Sequence, residues 1–390
     1  MTWSTSARIG IIGAGPGGLT LALLLQQKGF RPVVYEQEAR DRSRDRGGSL
    51  DIHADSGQLA LQEAGLYEAF HRIARYEGED FRLFDKNKML YWDEEAEADV
   101  MGVKPEIDRG ELCELLLGAL DSSCIHYGHK LQRAEEAGGG RTKLYFDNGV
   151  VDEVDLLVGA DGAFSRVRPL LSEVQPEYSG LSMVELNVMD AATNHPDLAE
   201  LNRRGKMFAL GDRKGILGQF NGDGRIKVYA SFEVEREWLD TCGIRYEEPE
   251  GVQNHLLELF ADWEDSLKNY IRYADGEILP RRIYMLPIGY QWTSRPGVTL
   301  IGDAAHVMSP FAGIGVNLAM LDALTLAQAL ANHHNREEAI AAYERAMFQY
   351  AAEKAQESYD NMKLCFADDA AVKMAELMNH YVHEAHGASQ

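Results

Sequence analysis

The run Gly13-Ala14-Gly15-Pro16-Gly17-Gly18 has the G-x-G-x-x-G spacing that suits a bound diphosphate. Gly13 permits a tight turn. At Gly15 the missing side chain lets the backbone approach a pyrophosphate, and Gly18 lets a following helix pack closely on the preceding strand. The exposed N–H groups and the dipole of that helix then favour the phosphate charge. Glu36 follows about 20 residues on, where a carboxylate can accept ribose hydroxyls. The motif does not by itself choose between a flavin and a nicotinamide dinucleotide.

Two later segments carry further chemistry. In Asp155-Leu-Leu-Val-Gly-Ala-Asp161-Gly162-Ala-Phe-Ser165-Arg-Val-Arg168, a strand ends in an Asp-Gly turn, with Ser165 and Arg168 on a short helix after it. In Gly302-Asp303-Ala304-Ala305-His306, a carboxylate precedes a second glycine-rich turn, Pro310-Phe311-Ala312-Gly313-Ile314-Gly315-Val316-Asn317. No Ser/His/Asp set and no zinc spacing is present, so no metal is expected. His306 reads as a structural histidine, and no acid or base is assigned.

The elements that must position these residues follow from periodicity. Arg8 to Ile12 is a β-branched run, Leu19 to Lys28 has helical apolar spacing stopped by Gly29, and Pro32 to Tyr35 is a second apolar run. Together they make a βαβ unit. Helices are expected over Ser56 to Phe70 and Arg109 to Leu120. A hairpin is expected around Asn148-Gly149, and apolar strands over Asp155 to Ala160 and Val298 to Ile301. Between about Val174 and Ile278 alternation dominates, which predicts antiparallel sheet with a helix near Val252 to Phe260. From Asn317 onward the pattern is helical, with no Pro or Gly until Gly387. The expected fold is α/β: a Rossmann-type nucleotide-binding domain, an antiparallel-sheet substrate domain and a long C-terminal helix. The expected division is 1–173 and 279–335 for the nucleotide domain, 174–278 for the substrate domain and 336–390 for a bracing helical segment.

The 390 residues carry 39 Lys and Arg against 62 Asp and Glu, a formal charge of −23. Such a surface repels nucleic-acid backbones and anionic lipid, so neither nucleic acid nor membrane is an expected partner. Cys113, Cys124, Cys242 and Cys365 include no CxxC pair, which suits free thiols in a cytoplasmic protein. A monomer is expected.

The three motifs, in this order and separation, resemble those of the FAD-dependent aromatic hydroxylases, the class A flavoprotein monooxygenases. That resemblance implies that Gly13, Gly15, Gly18, Glu36, Arg109, Asp161, Asp303, Pro310, Gly313, Gly315 and Asn317 bind FAD. It also implies that the segment around Asp161 serves a nicotinamide donor, NADPH or NADH. Arg44 or Arg46, with Arg44 preferred by spacing, matches an arginine near the flavin ring. The turn at Gly313 to Gly315 would face the flavin, whose reduced form carries negative charge that a helix N-terminus stabilises. The family usually has Gln where this chain has Ile314.

Gly47-Gly48-Ser49-Leu50-Asp51-Ile52-His53, Ser56-Gly57-Gln58, Phe260-Ala-Asp262-Trp263 and the run from Tyr343 to Phe366 are similar to the tetracycline-inactivating branch. By that similarity Glu185, Asn187, Arg213 and Phe311 are candidate substrate contacts, with Met308 nearby and Lys227 standing where the branch has His. The implied reaction is hydroxylation of a phenolic or enolic polycyclic substrate through a flavin C4a-hydroperoxide. It takes molecular oxygen and NADPH, with tetracyclines and other aromatic or polyketide compounds as candidates. The rival readings are an FAD oxidase or dehydrogenase without oxygen transfer, and a binding or sequestering protein without turnover.

Overall fold

The computed structural model describes residues 5–40, 47–96 and 104–387, with side chains described to residue 380. The chain divides into two compact units. Unit 1 comprises Met1–Ala74, Ile107–Glu177 and Tyr284–Ser358; unit 2 comprises Arg75–Glu106, Tyr178–Ile283 and Tyr359–Gln390.

Unit 1 is built on a five-stranded sheet ordered Val298–Leu300, Leu156–Gly159, Arg8–Ile12, Arg31–Tyr35, Ile125–His126. Every neighbouring pair is parallel. Parallel strands are covered on both faces, which explains why Ile9, Ile11, Val34, Leu156, Leu157 and Val158 are all buried and read as apolar runs rather than alternations. Helices Pro16–Gln27 and Gly315–Asn332 pack on one another. The Asn-Gly turn joins Arg141–Phe146 to Val151–Val154, two strands of a separate three-stranded sheet.

Unit 2 carries a seven-stranded sheet ordered Leu279–Met285, Glu177–Val188, Ile226–Glu233, Lys214–Phe220, Lys206–Gly211, Phe81–Asp85, Leu90–Glu94. Alternation sorts its faces. Val184, Leu186, Ile216, Val228 and Ala230 form one core with Val252, Leu256, Phe260 and Leu267 from the helical part of the unit. The register puts Glu185 opposite Tyr229 and Asn187 opposite Lys227, on the other face. Lys206–Gly211 pairs parallel with Phe81–Asp85. That pairing brings Arg75–Glu106 into unit 2, although the linear reading placed it within the nucleotide domain. Nothing local to residues 81–94 announces a partner more than a hundred residues away.

Two helical stretches are interrupted. The expected helix over Ser56 to Phe70 is two short helices, Gly57–Glu63 and Tyr67–His71, because Gly65 takes φ +70° and ends the first in a left-handed turn. The C-terminal stretch forms Arg336–Cys365 and Ala370–Gly387. Its break contains Asp368 and Asp369, a residue type that favours helix starts over interiors. Among the described residues no helix is long and apolar enough to cross a membrane.

Phe260 is fully buried in the core of unit 2. Phe260→Ala is expected to lower stability by about 3–5 kcal/mol, read as a shift in the urea unfolding midpoint.

Candidate flavin-binding site

Three adjacent parallel strands of unit 1 each end in one of the three motifs. Arg8–Ile12 runs into Gly13, Leu156–Gly159 into Asp161 and Val298–Leu300 into Gly302. The register Ile12↔Gly159↔Leu300 puts those ends side by side. Ligands of open parallel sheets bind outside the carboxyl ends of the strands.

The first turn is closed by contacts that only glycine allows. Gly13 has φ +106°, and a Cβ there would lie 2.4 Å from the Ala160 carbonyl oxygen. A Cβ on Gly18 would lie 2.1 Å from the Gly13 oxygen. At Gly15 the nearest atom to such a Cβ is an Arg109 guanidinium nitrogen at 3.7 Å, so this backbone faces open space. Pro16 begins the helix, a position where its missing N–H is harmless. Glu36 accepts hydrogen bonds from the N–H of Ala14 at 2.8 Å and of Glu38 at 2.9 Å. Its carboxylate therefore shapes the turn, and it lines the groove along this edge.

A groove of about 530 Å³ runs along this edge, lined by Gly13, Gly15, Glu36, Arg109 and Asp161 among others. Its size is that of small-molecule sites. Arg109 stands at the start of helix Arg109–Ala119. His129, Lys130, Phe164 and Arg166 also line the groove and were not legible in the sequence. His129 arrives there because its N–H donates to the Glu36 carbonyl at 2.8 Å, a consequence of edge-strand pairing that carries no motif. Arg44 and Arg46 lie outside the described residues.

In the second motif Asp161 accepts from the Ser165 hydroxyl at 2.6 Å and the Arg166 N–H at 2.7 Å. Burial pushes its pKa up against those bonds. Arg168 is 1% exposed. It donates to the carbonyls of Ala163 at 2.7 Å, Ala304 at 2.8 Å and Asp303 at 3.1 Å, which ties the second motif to the third. The short helix expected after Asp161 is a single 3-10 turn, Arg168–Leu170.

In the third motif Asp303 is exposed and begins the four-residue helix Asp303–His306. A Cβ on Gly315 would lie 3.9 Å from its carboxylate, which sets Asp303 beside the N-terminus of helix Gly315–Asn332. Pro310 and Gly313 are exposed, and Phe311 is half-buried. Asn317 is fully buried. Its amide accepts from the His53 N–H and donates to the Asp51 carbonyl, both at 2.8 Å. It braces the loop after Gly47-Gly48 against the flavin turn. Ile314 is buried.

The backbone open at Gly15, the groove lined by Gly15, Glu36 and Arg109, and the exposed Asp303 at the neighbouring strand end fit FAD. Gly15, in the turn that Gly13 and Gly18 shape, would admit its pyrophosphate, Glu36 its ribose and Asp303 its ribityl hydroxyls.

Of the substrate candidates, Phe311 lies on unit 1, and Glu185, Asn187 and Arg213 lie on unit 2. Glu185 and Asn187 share one face and are buried. Glu185 meets Lys227 Nζ at 2.5 Å and Arg281 Nε at 3.1 Å. Burial alone would raise the Glu185 pKa, but Lys227 and Arg281 hold it below its usual value. Asn187 donates to the Glu277 carbonyl at 3.0 Å, and its Oδ1 has no partner among the described residues. Arg213 is elsewhere. It sits at φ +58° in the turn between Lys206–Gly211 and Lys214–Phe220, mostly exposed and paired with the exposed Asp368. Arg213 thus stands apart from the buried Glu185 and Asn187.

The FAD binding domain family matches residues 6–358. The chain belongs to the FAD-dependent monooxygenases. The monooxygenase penA of Penicillium thymicola is 29% identical, over 97% of this chain and 100% of its own. HpxO of Klebsiella pneumoniae, solved with FAD, has a TM-score of 0.77 at 20% identity, covering 96% of this chain and 94% of its own. The tetracycline destructase Tet(55) has a TM-score of 0.75 at 19% identity, covering 98% and 96%. These two structural likenesses establish the mixed α/β fold.

Asp303→Ala is expected to release FAD while the circular-dichroism spectrum stays unchanged. Hydrogen bonds to a charged group contribute about 1.5–3 kcal/mol, so affinity read from flavin fluorescence should fall roughly ten- to hundredfold.

Proposed function

We propose that this monooxygenase takes electrons from NADPH or NADH and hydroxylates a phenolic or enolic polycyclic small molecule. The observation that carries the reading is the convergence of the three motifs at one sheet edge, with Asp303 beside the Gly315 helix end. Bound FAD supplies the redox chemistry, accepting a hydride and activating O2.

The chain's own residues supply binding, charge and order. The Gly315 helix end would contribute positive potential to a reduced, negatively charged flavin ring held beside it. Phe311, half-buried beside the glycine turn, offers an apolar surface to a flat ligand. On unit 2, Glu185 and Asn187 are the proposed polar contacts. Lys227 keeps Glu185 ionised, so this face accepts hydrogen bonds from phenol or enol hydroxyls, while the ammonium itself favours an oxyanion. Asn187 Oδ1 adds a further acceptor. The apolar Ile314 leaves recognition near the ring to backbone donors.

Tetracyclines enter as candidates through the chain segments around Gly47 and Tyr343. Uric acid, bound by HpxO, and 6-hydroxynicotinate, the substrate in the name of a Pseudomonas fluorescens relative 27% identical over 94% of each chain, represent smaller enolisable rings.

The test is aerobic turnover of the holoprotein with NADPH or NADH across tetracyclines, polyketide phenols and small hydroxylated heterocycles, with oxygen consumption and mass spectrometry. The expected result is a product heavier by one oxygen atom, formed only with donor and protein together. For that product Glu185→Gln should raise KM more than it lowers kcat. Donor oxidation that yields only hydrogen peroxide with every compound would mark an oxidase. Flavin that stays oxidised under both donors would mark a protein without turnover.

A further inference from the structure

The flavin site has a buried ionic centre behind it. Asp322, on helix Gly315–Asn332, has no solvent exposure. One carboxylate oxygen accepts from the Gly302 N–H at 2.6 Å and faces His306 Nε2 at 2.8 Å. The other accepts from the Tyr350 hydroxyl at 2.5 Å. Three donors from three parts of unit 1 therefore converge on one carboxylate. They are the turn before Asp303, the last residue of the four-residue helix and the C-terminal helix Arg336–Cys365.

We propose that Asp322 is a positioning residue for FAD, fixing the Gly302 turn and the buried end of helix Asp303–His306 so that the exposed Asp303 carboxylate is held where the cofactor needs it. Gly302 has φ +60°, and a Cβ there would lie 2.9 Å from that of Ala319. The turn is reached only by glycine, and its N–H would otherwise lack an acceptor in the interior. His306 closes the same helix that Asp303 opens. With one end gripped at His306 and the carbonyls of Asp303 and Ala304 held by Arg168, the short helix has little freedom to turn Asp303 away.

The charged and titratable groups around His306 are Asp322 from helix Gly315–Asn332 and Asp303 on its own helix, with Tyr350 and Tyr343 from the C-terminal helix and Arg168 against the helix carbonyls. Burial disfavours the imidazolium, but Asp322 and Asp303 outweigh it and raise the His306 pKa above its ordinary value. Burial and Asp322 push Tyr350 far up, so it remains a neutral donor. A raised folded value means that the imidazolium's contribution is full below the ordinary imidazole pKa of about 6.5. It disappears as pH climbs through the folded value.

The experiment measures FAD release from diluted holoprotein by flavin fluorescence between about pH 6 and 9, alongside unfolding followed by circular dichroism. In the wild type, retention should weaken with rising pH. Asp322→Asn should raise the FAD dissociation constant by about tenfold or more and flatten that pH profile. His306→Gln, which keeps a neutral donor, should remove the pH step while still folding. Tyr350→Phe should give a smaller loss of affinity with the pH step intact. In each variant FAD should leave at temperatures below unfolding. The proposal is overturned if the variants keep wild-type FAD affinity and pH profile and change only the melting temperature. Should Asp322→Asn fail to fold, the His306 and Tyr350 variants decide the matter by the same two readouts.

Discussion

Parallel pairing of three strands is the constraint on which the flavin site rests. Arg8–Ile12, Leu156–Gly159 and Val298–Leu300 are far apart in the chain. In the sheet they are neighbours pointing the same way, and so their C-terminal turns must emerge together. Each turn then needs freedom from side chains. Ala319 lies 3.0 Å from where a Gly17 Cβ would be and 2.9 Å from that of Gly302. The two glycine motifs thus close around a single methyl group, and a larger residue at any of the three positions would push the turns apart.

Polar contacts hold what the strands bring together. Arg168 joins the second motif to the third through three backbone carbonyls, and Asn317 joins the Gly47 loop to the helix after Gly315. The C-terminal helix adds a series of its own. The Tyr343 hydroxyl donates to the Leu300 carbonyl, Glu344 accepts from Trp292 and Thr299, and Ser358 exchanges hydrogen bonds with Ser309. Within unit 1 this helix is bonded directly to the strand and loops that carry the third motif. Buried bonds of this kind are costly to leave unmade, so they tie the C-terminal helix to the flavin turns.

Unit 2 solves a different problem. One face of its sheet is an apolar core, while the other carries Glu185, Lys227, Asn187 and Tyr229. Charges placed there are stable because they are paired: Lys227 and Arg281 share the Glu185 carboxylate.

The Asp303 segment was readable through its resemblance to a family motif, and the glycine spacing and Glu36 were readable in the residues because a strand, a tight turn and a helix start are local features. The βαβ start, the Asn-Gly hairpin and the alternating region of unit 2 were readable for the same reason, since periodicity and turn chemistry act over a few residues. Other features depended on partners distant in the chain. Asn317 looks like a ligand contact in a motif, and its amide also bonds the backbone of His53 and Asp51, while Asp161 lines the groove and is bonded by Ser165 and Arg166. Arg213 looks like a ligand contact by position, yet falls on an exposed turn. Arg75–Glu106 joins unit 2 only through a parallel pairing with Lys206–Gly211. Asp322, His306 and Tyr350 form no recognisable spacing, because what unites them is one carboxylate in the interior. Local chemistry determined which residues could meet a flavin. Long-range packing decided which of them face the groove and which hold it open.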